Sequence, residues 1–337
     1  MLVLGERLAA PFDEARTVER EILAAAGAEL VIAETIDEWR AIAPKADGVV
    51  HQAFKLPAAE LALLERCRCI AHNAVGVDMI DTAEAARLGI VVANVPRYGS
   101  DDVADQAFAL ILACARKLQE QIAIGAKPDG WGIAPLMPIY RLRERTLGVI
   151  GAGNIGREVV KRALGFGLNV LVYDPYVTAE VVAALGAKLV PLAELLRRSN
   201  ILTVHSPLTP ETRGLIGAAE LASMPAGAIV VNVARGPIID EIALAEALDS
   251  GHIAAAGLDV FAIEPLPADA RIRRAPRTII TPHAAFYSQS SIESMQNDPV
   301  REIAATLRGF VPPNAAILPG IDWSFAYRRW NLLPMGQ

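Results

Sequence analysis

The chain has 337 residues, of which 53% are hydrophobic and 21% charged, and its formal net charge at pH 7 is −6. This length favours two domains over a single core. No apolar run approaches the roughly 18 residues of a membrane helix, the start lacks the pattern of a signal peptide, and no dense basic run favours nucleic acid. The three cysteines suggest neither a disulfide framework nor a zinc site. We therefore expect a cytoplasmic protein without a metal and without membrane or nucleic-acid partners.

The first hundred residues alternate between short apolar runs and amphipathic segments. Strands are predicted at Leu2–Leu4, Glu29–Ala33, Asp47–Val50, Cys69–His72 and Ile90–Ala93. Helices are predicted at Glu14–Ala26 (with Val18, Ile22 and Leu23 inward), Pro57–Leu64 and Asp81–Leu88. Such alternation is typical of a parallel sheet with helices on both faces. This part of the chain contains no glycine fingerprint.

A long apolar helix follows, capped by Ser100 or Asp101 and continuing to about Leu118. Its apolar side chains cover more than one face, which indicates burial in a core or at a subunit contact. The segment from Gly125 to Arg143 is rich in proline and predicted to be irregular.

The stretch from Arg145 to Pro175 has the pattern of a dinucleotide-binding βαβ unit. An apolar strand leads into Gly151, Gly153 and Gly156 at G-x-G-x-x-G spacing. These glycines suit a tight turn, close approach of a pyrophosphate and close helix packing, and the helix N-terminus favours an anion. Asp174 ends the second strand, where it could bind the adenosine ribose hydroxyls and repel a 2′-phosphate. Asp174 therefore favours NAD(H) over NADP(H) as the cofactor.

The remainder continues the alternating pattern. Strands are predicted at Asn200–His205, Ala228–Val233, Ile253–Val260 and Thr278–Thr281. Helices are predicted at Thr178–Leu185, Leu192–Ser199 and Ile242–Leu248, and from Gln289 toward Leu307. Pro299 is expected to kink the last of these helices. The last 26 residues are predicted to form an ordered tail, with Trp323, Tyr327 and Trp330 either anchoring it or capping a cleft. The fold class is α/β, with two doubly wound parallel-sheet, Rossmann-like domains.

Arg235, Glu264 and His283 each follow a predicted strand of the second half. The carboxyl ends of parallel strands are where open α/β sheets bind ligands. Singly, each residue also fits a surface charge, a loop acid or a satisfied histidine. Together they match the needs of hydride transfer to a 2-keto acid: a guanidinium for the carboxylate, an imidazole that exchanges a proton, and a carboxylate that orients it.

Five segments resemble the D-isomer-specific 2-hydroxyacid dehydrogenases: GVDMID (76–81), VIGAGNIG (149–156), NVARGPIIDEIAL (232–244), GLDVFAIEP (257–265) and TPHAAFYS (281–288). The resemblance implies that Arg235 binds the substrate carboxylate and that His283, paired with Glu264, is the acid/base. It implies substrate contacts at Asn73, Val75, Gly76, Arg235, His283 and Phe286. It implies cofactor contacts at Gly151, Gly153, Asn154, Ile155, Gly156, Asp174, Pro207, Thr212, Val233, Ala234 and Asp259, the last toward the nicotinamide amide.

The same resemblance implies a discontinuous, flavodoxin-like substrate domain (residues 1–97 and 289–337), an NAD-binding domain (98–288), and a homodimer formed through the helix at 101–119. NVPRYGSDDVADQA and TPHAAFYSQSSIE look most like the C-terminal binding protein branch, which adds an alternative function as an NAD(H)-sensing corepressor-like module. The chain departs from that branch at Phe286, where tryptophan is frequent, and at His72 and Asn73, where many relatives have arginine. Val75 stands where a phosphite-oxidising enzyme would have lysine.

Overall fold

The structure is a computed structural model that describes residues 1–7, 16–315 and 321–334. Two positions of the first predicted helix and parts of the predicted tail lie outside the described residues. The chain divides into two compact units, one formed by Met1–Tyr98 with Ser288–Gln337 and the other by Gly99–Tyr287.

Twelve strands are named in chain order within the described part: β1 Leu2–Glu6, β2 Glu29–Ala33, β3 Gly48–His51, β4 Cys69–His72, β5 Val91–Ala93, β6 Thr146–Ile150, β7 Asn169–Tyr173, β8 Lys188–Leu189, β9 Ile201–Val204, β10 Ala228–Asn232, β11 Ile253–Leu258 and β12 Thr278–Ile280. The α-helices there are α1 Thr17–Ala24, α2 Ile36–Ile42, α3 Ala58–Leu61, α4 Thr82–Leu88, α5 Ser100–Ala115, α6 Leu118–Gly125, α7 Asn154–Gly165, α8 Ala179–Ala184, α9 Leu192–Arg198, α10 Ala218–Ser223, α11 Glu241–Asp249, α12 Gln289–Leu307 and α13 Ser324–Arg329.

The first unit contains a five-stranded parallel sheet with the order β2-β1-β3-β4-β5. This is the flavodoxin-like order, whose switch point lies between β1 and β3. One face packs against α12, where Val300 and Ile303 join Val3 and Val50 in a buried cluster. On the other face Trp39 and Trp323 join the buried residues around Leu4. Both faces are covered, which explains why the strands carry continuous apolar runs.

The C-terminal aromatics anchor their segment to this unit. Trp323 is 7% exposed within the core. The indole of Trp330 donates to the carbonyl of Gly89 at 2.7 Å.

The first helix differs from its prediction. Helix α1 spans Thr17–Ala24, and Val18, expected to point inward, is 49% exposed. Glu19 is buried instead, because the Arg16 guanidinium binds its carboxylate at 2.6 and 2.5 Å. The periodicity rule failed here because a paired charge can occupy a core position. Helix α2, with its buried Trp39, was not predicted.

The second unit contains a seven-stranded parallel sheet with the order β12-β11-β10-β9-β6-β7-β8. Six of these strands follow the doubly wound dinucleotide-binding order, with β6 at the switch point. The α/β class with two parallel, Rossmann-like sheets is therefore confirmed. The short strand β8 and helix α10 were not predicted.

The long helix predicted after Ser100 is two helices. Helix α5 ends at Ala115, Lys117 adopts a left-handed conformation with φ 51°, and α6 follows. The cap is Gly99, so the expected cap by Ser100 or Asp101 was wrong.

The apolar residues of α5 pack in the core of their own unit. Ala107, Phe108 and Ile111 join a buried cluster with Val149 and Val231. Exposed apolar side chains instead follow α5: Leu118, Ile122, Trp131, Ile133, Met137 and Tyr140. Among the helices described, none is both long and apolar enough to span a membrane.

Candidate active site

The glycine turn between β6 and α7 has three different local environments. Gly151 has φ +92°, and a Cβ there would lie 2.8 Å from the carbonyl carbon of His205. A Cβ on Gly156 would lie 2.0 Å from the Gly151 oxygen. A Cβ on Gly153, in contrast, would meet no neighbouring atom of the described chain within 4 Å. The outer glycines are therefore required by packing, and the middle one leaves the space that a pyrophosphate needs.

Asp174 follows β7 and contacts this turn directly. Its carboxylate accepts hydrogen bonds from the backbone N–H of Ala152 at 2.8 Å and of Tyr176 at 2.8 Å. These hydrogen bonds hold Asp174, the residue predicted to bind the ribose, beside the glycine turn. Its carboxylate oxygens keep further lone pairs that can accept hydrogen bonds from ribose hydroxyls.

The loop after β9 contains the predicted cofactor contacts Pro207 and Thr212. The Thr212 hydroxyl donates to the Pro207 carbonyl at 2.7 Å and accepts from Thr209 N–H at 2.7 Å, which closes the loop on itself.

Sequence reasoning missed His205 and Ser206, which begin this loop. Burial lowers the pKa of His205 to about 3, so the ring is neutral. Within the described chain, His205 Nδ1 and Ser206 Oγ are buried without a hydrogen-bond partner. Strand β9 lies next to the glycine-turn strand β6 only through the sheet order, so no local sequence pattern singled out these two residues. The open space at Gly153 and these orphaned polar atoms fit a dinucleotide.

Arg235 lies three residues beyond β10 in a turn shaped by Asn232. The Asn232 amide accepts from Ala234 N–H at 3.0 Å and donates to the Arg235 carbonyl at 2.9 Å. A Cβ on Gly236 would lie 2.0 Å from the carbonyl carbon of Phe261, so only glycine fits there. This close approach joins the Arg235 turn to the loop that carries Glu264. Val233 is 6% exposed.

Asp259, just after β11, organises the loop that carries His283. Its carboxylate accepts from Thr281 Oγ1 and from the N–H groups of Ala284 at 3.0 Å and Ala285 at 2.8 Å. Its carbonyl accepts from His283 N–H at 2.8 Å. Asp259 is 0% exposed, and its observed hydrogen bonds hold the loop that carries His283. Its contact with a nicotinamide stays a prediction.

His283 and Glu264 form a direct pair. His283 Nδ1 lies 2.6 Å from Glu264 Oε2, and Glu264 Oε1 accepts from Phe261 N–H at 2.8 Å. The His283 side chain is 43% exposed and its backbone adopts φ 53°. Left-handed backbone at a non-glycine residue costs on the order of 1–3 kcal/mol and is frequent at functional sites. Phe286 approaches the imidazole edge-on, with ring centroids 6.4 Å apart.

Charge and burial act in opposite directions on Glu264. Burial alone would raise its pKa, but hydrogen bonds from His283 and Phe261 and the charges of His283 and Arg235 hold the pKa below the usual 4.5. The carboxylate is therefore ionised near neutral pH, and His283 Nδ1 carries the shared proton. The three residues predicted from separate strands thus come together in one electrostatic group.

Asn73, Val75 and Gly76 belong to the other unit, where they follow β4. Asn73 is 5% exposed and Val75 37% exposed. No group of His, Cys, Asp and Glu side chains in the described ranges is arranged to hold a metal.

A family model for the NAD-binding domain of D-isomer specific 2-hydroxyacid dehydrogenases matches residues 108–285. This chain belongs to that family. The enzyme is 37% identical to a glyoxylate reductase of Korarchaeum cryptofilum over 294 residues, which cover 83% of this chain and 88% of the relative. It is 40% identical to a D-3-phosphoglycerate dehydrogenase of Methanocaldococcus jannaschii over 81% of the chain, but spans only about half (52%) of that longer relative.

The fold of this dehydrogenase matches solved structures of the family. A D-lactate dehydrogenase from Aquifex aeolicus, crystallised with NAD and lactic acid, aligns with TM-score 0.82 and 29% identity over 91% of this chain and 96% of its own. The predicted cofactor, NAD, is confirmed by the NAD-binding domain match and by NAD-bound structural relatives. These relatives do not distinguish the C-terminal binding protein branch, which stays a prediction.

Proposed function

We propose that the enzyme interconverts a small 2-keto acid and the corresponding D-2-hydroxy acid, with His283 as the acid/base. The single observation that carries this proposal is the pairing of His283 with an ionised Glu264 close to the Arg235 charge. When bound, NADH supplies the hydride that reduces C2 of the keto acid.

The roles of the three side chains follow from their hydrogen bonds. Glu264 engages Nδ1 of His283, so Nε2 is the nitrogen that exchanges a proton with the substrate oxygen. The imidazole is exposed enough to meet a substrate, and the Glu264 carboxylate fixes the orientation of the ring through Nδ1. Arg235 offers a planar guanidinium that can bind a carboxylate through two parallel hydrogen bonds.

The remaining predicted residues complete the proposal. Gly151, Gly153, Asn154, Ile155 and Gly156 would hold the pyrophosphate, supported by the open space above Gly153 and by the position of the turn at a helix N-terminus, where the helix dipole favours an anion. The other proposed cofactor contacts are Asp174, Pro207, Thr212, Val233, Ala234 and Asp259. Phe286 would form an apolar wall for the substrate side chain. Asn73, Val75 and Gly76 are proposed substrate contacts because they follow β4 at the carboxyl edge of its sheet.

The relatives suggest which substrates to test. Glyoxylate reductase and D-lactate dehydrogenase are names of related enzymes, so glyoxylate, pyruvate and hydroxypyruvate are the first candidates. The test is oxidation of NADH over such a panel, with the products of pyruvate and hydroxypyruvate, which are chiral, assayed for their configuration. Turnover with at least one keto acid, giving the D-isomer, is expected. Tight NADH binding without turnover of any keto acid would contradict the proposal and favour the corepressor-like alternative.

We also propose that the enzyme is a homodimer, with the contact at the predicted 101–119 region and its continuation. The apolar side chains of α5 are used inside the unit, so the support comes from Leu118, Ile122 and Trp131, which are 46%, 64% and 98% exposed. An exposed apolar series of this kind marks an interaction surface. Sedimentation equilibrium of wild type and Ile122→Glu would test this: a monomeric wild type would contradict it.

A further inference from the structure

Three titratable residues end three neighbouring strands of the first unit and have no role in the proposed hydride transfer. Glu6 is the last residue of β1, His51 of β3 and His72 of β4, and these strands are adjacent in the sheet. The three residues are 1%, 0% and 4% exposed. They therefore form a buried polar cluster at the carboxyl edge, beside the switch point between β1 and β3.

The hydrogen bonds define where the protons lie. His51 Nδ1 is 2.8 Å from His72 Nδ1, and His51 Nε2 is 2.5 Å from the carbonyl of Phe54. A carbonyl can only accept, so His51 Nε2 carries a hydrogen. Burial lowers the pKa of His51 against the opposing influence of Glu6 and Phe54, so its ring is neutral and Nδ1 accepts. His72 must then donate from Nδ1.

Glu6 holds the loop that begins after His51. Its Oε2 accepts from the N–H groups of Ala53 at 2.5 Å, Phe54 at 3.0 Å and Gln52 at 3.3 Å. Its Oε1 lies 3.8 Å from His51 Nε2 and, in the part of the chain described, has no hydrogen-bond partner. A buried acceptor left without a hydrogen bond destabilises the folded state. The cluster is thus not the arrangement that stability alone would favour.

The cluster connects two loops at the ligand-binding edge of the sheet. In the loop at 52–55, hydrogen bonds from Glu6 and His51 hold residues 52–54. The loop at 73–76 is held through the His72 ring and through Asn73 N–H, which donates to the His51 carbonyl at 3.1 Å. The cluster is buried, whereas Ala53, Lys55 and Val75 on the two loops are exposed. Because the cluster holds both loops by hydrogen bonds, loss of one of its side chains would shift the exposed residues of these loops.

We propose that Glu6, His51 and His72 are positioning residues that hold the loops at 52–55 and 73–76 in the arrangement that binds the 2-keto acid. This inference rests on the proposed function. The cluster acts on substrate binding and not on hydride transfer or cofactor binding, because His283 and the glycine turn belong to the other unit.

The test compares His72→Leu with His72→Asn. Leucine fills much of the same volume but has no donor, whereas the asparagine amide can place an N–H near the position of Nδ1. Losing one buried hydrogen bond and disordering a loop should raise the keto-acid KM about tenfold in His72→Leu. The kcat should change less than about threefold and the NADH Kd less than about twofold on the same scale. His72→Asn should restore the KM.

Hydrogen exchange measured by mass spectrometry gives a readout independent of turnover. In His72→Leu, peptides covering 52–56 and 73–79 should exchange faster, while peptides from 146–175 remain unchanged. If His72→Leu does not fold, Glu6→Gln provides the second variant, with faster exchange at 52–56 and a raised keto-acid KM. His252→Asn, which alters a histidine bonded to the Leu221 carbonyl in the other unit, is the matched control.

An unchanged keto-acid KM in a folded His72→Leu enzyme would overturn the inference. So would equal rises in the KM values for keto acid and NADH, or a His72→Asn enzyme as impaired as His72→Leu. A wild-type enzyme that reduces no keto acid would contradict the proposed function instead, and unchanged exchange in both loops would then contradict the positioning role separately.

Discussion

Both units place histidines at the carboxyl edge of a parallel sheet, but in opposite surroundings. His283 is 43% exposed and bonded to a carboxylate, Glu264 Oε2, at 2.6 Å. His51 is fully buried and bonded to another imidazole, His72 Nδ1, at 2.8 Å. The first arrangement keeps one ring nitrogen accessible beside a negative charge, whereas the second uses both His51 nitrogens for internal hydrogen bonds.

In both units the polar side chains gather at the carboxyl ends of the strands, and the exposure of each histidine then determines its chemical role. An accessible imidazole with an ionised partner can exchange a proton in each catalytic cycle. A buried neutral imidazole is a fixed donor and acceptor, and its main effect is on the geometry of the backbone around it. The predictions below test this division, beginning with the largest expected effect.

Removing the exposed imidazole should nearly abolish chemistry without unfolding the enzyme. We expect His283→Ala to lower kcat for keto-acid reduction about 10²–10⁴-fold, the usual contribution of a general acid. NADH binding, followed by fluorescence, should persist. His252→Ala, at the opposite edge of the same sheet, serves as control and should retain kcat. A His283→Ala enzyme as fast as wild type would remove the distinction between the two histidine sites.

The second prediction concerns the geometry of Arg235 and not its charge. Arg235→Lys keeps a cation but loses the planar pair of donors, so kcat/KM for the keto acid should fall about 10–100-fold, equivalent to one charge-assisted hydrogen bond. Steady-state kinetics at saturating NADH provide the measurement. Full activity in Arg235→Lys would mean that a point charge suffices and that no bidentate clamp forms.

A smaller effect is expected for cofactor choice. Asp174→Asn removes the negative charge but can retain an acceptor for Ala152 N–H, so the glycine turn should remain intact. The ratio of kcat/KM for NADH over NADPH should fall about tenfold, because one charge-assisted hydrogen bond is lost and the repulsion of a 2′-phosphate is relieved. An unaltered ratio would show that other residues exclude NADPH.

The smallest effect is a dependence of stability on pH. Because the pKa of Glu264 is held below 4.5, its interactions stabilise the folded state above pH 4.5, and this contribution is lost as the pH falls through the lowered value. The difference in unfolding free energy between wild type and Glu264→Gln should therefore shrink on acidification below pH 4.5. Urea denaturation at a series of pH values measures it. A difference that grows on acidification would contradict the pairing.

Local pattern was sufficient for most of the fold. Beta-prone apolar runs predicted β2 and β4 with their observed bounds, and helix α12 was predicted from Gln289 to Leu307. The failures have identifiable causes. Val18 was placed inward because the Arg16–Glu19 ion pair cannot be seen in a hydrophobic pattern. The break at Lys117 was missed because no glycine or proline marks the left-handed residue.

The candidate site divides in the same way. Arg235, Glu264 and His283 could be proposed from their places after strands, and the glycine spacing pointed to the turn at 151–156. His205 and Ser206 could not be distinguished from ordinary loop residues, because their interest comes from buried atoms left without partners in the described chain. The link between Glu6, His51 and His72 joins positions up to 66 residues apart, and only sheet order brings them together.

The sequence by itself determined the alternation of strands and helices, the dinucleotide turn and the kinds of side chain at each strand end, because these depend on local periodicity, glycine spacing and residue chemistry. Only the tertiary structure decided which imidazole is exposed and which is buried, and that the apolar side of α5 packs within its own unit. Burial and pairing are set by contacts between segments distant in the chain, and no local pattern encodes them.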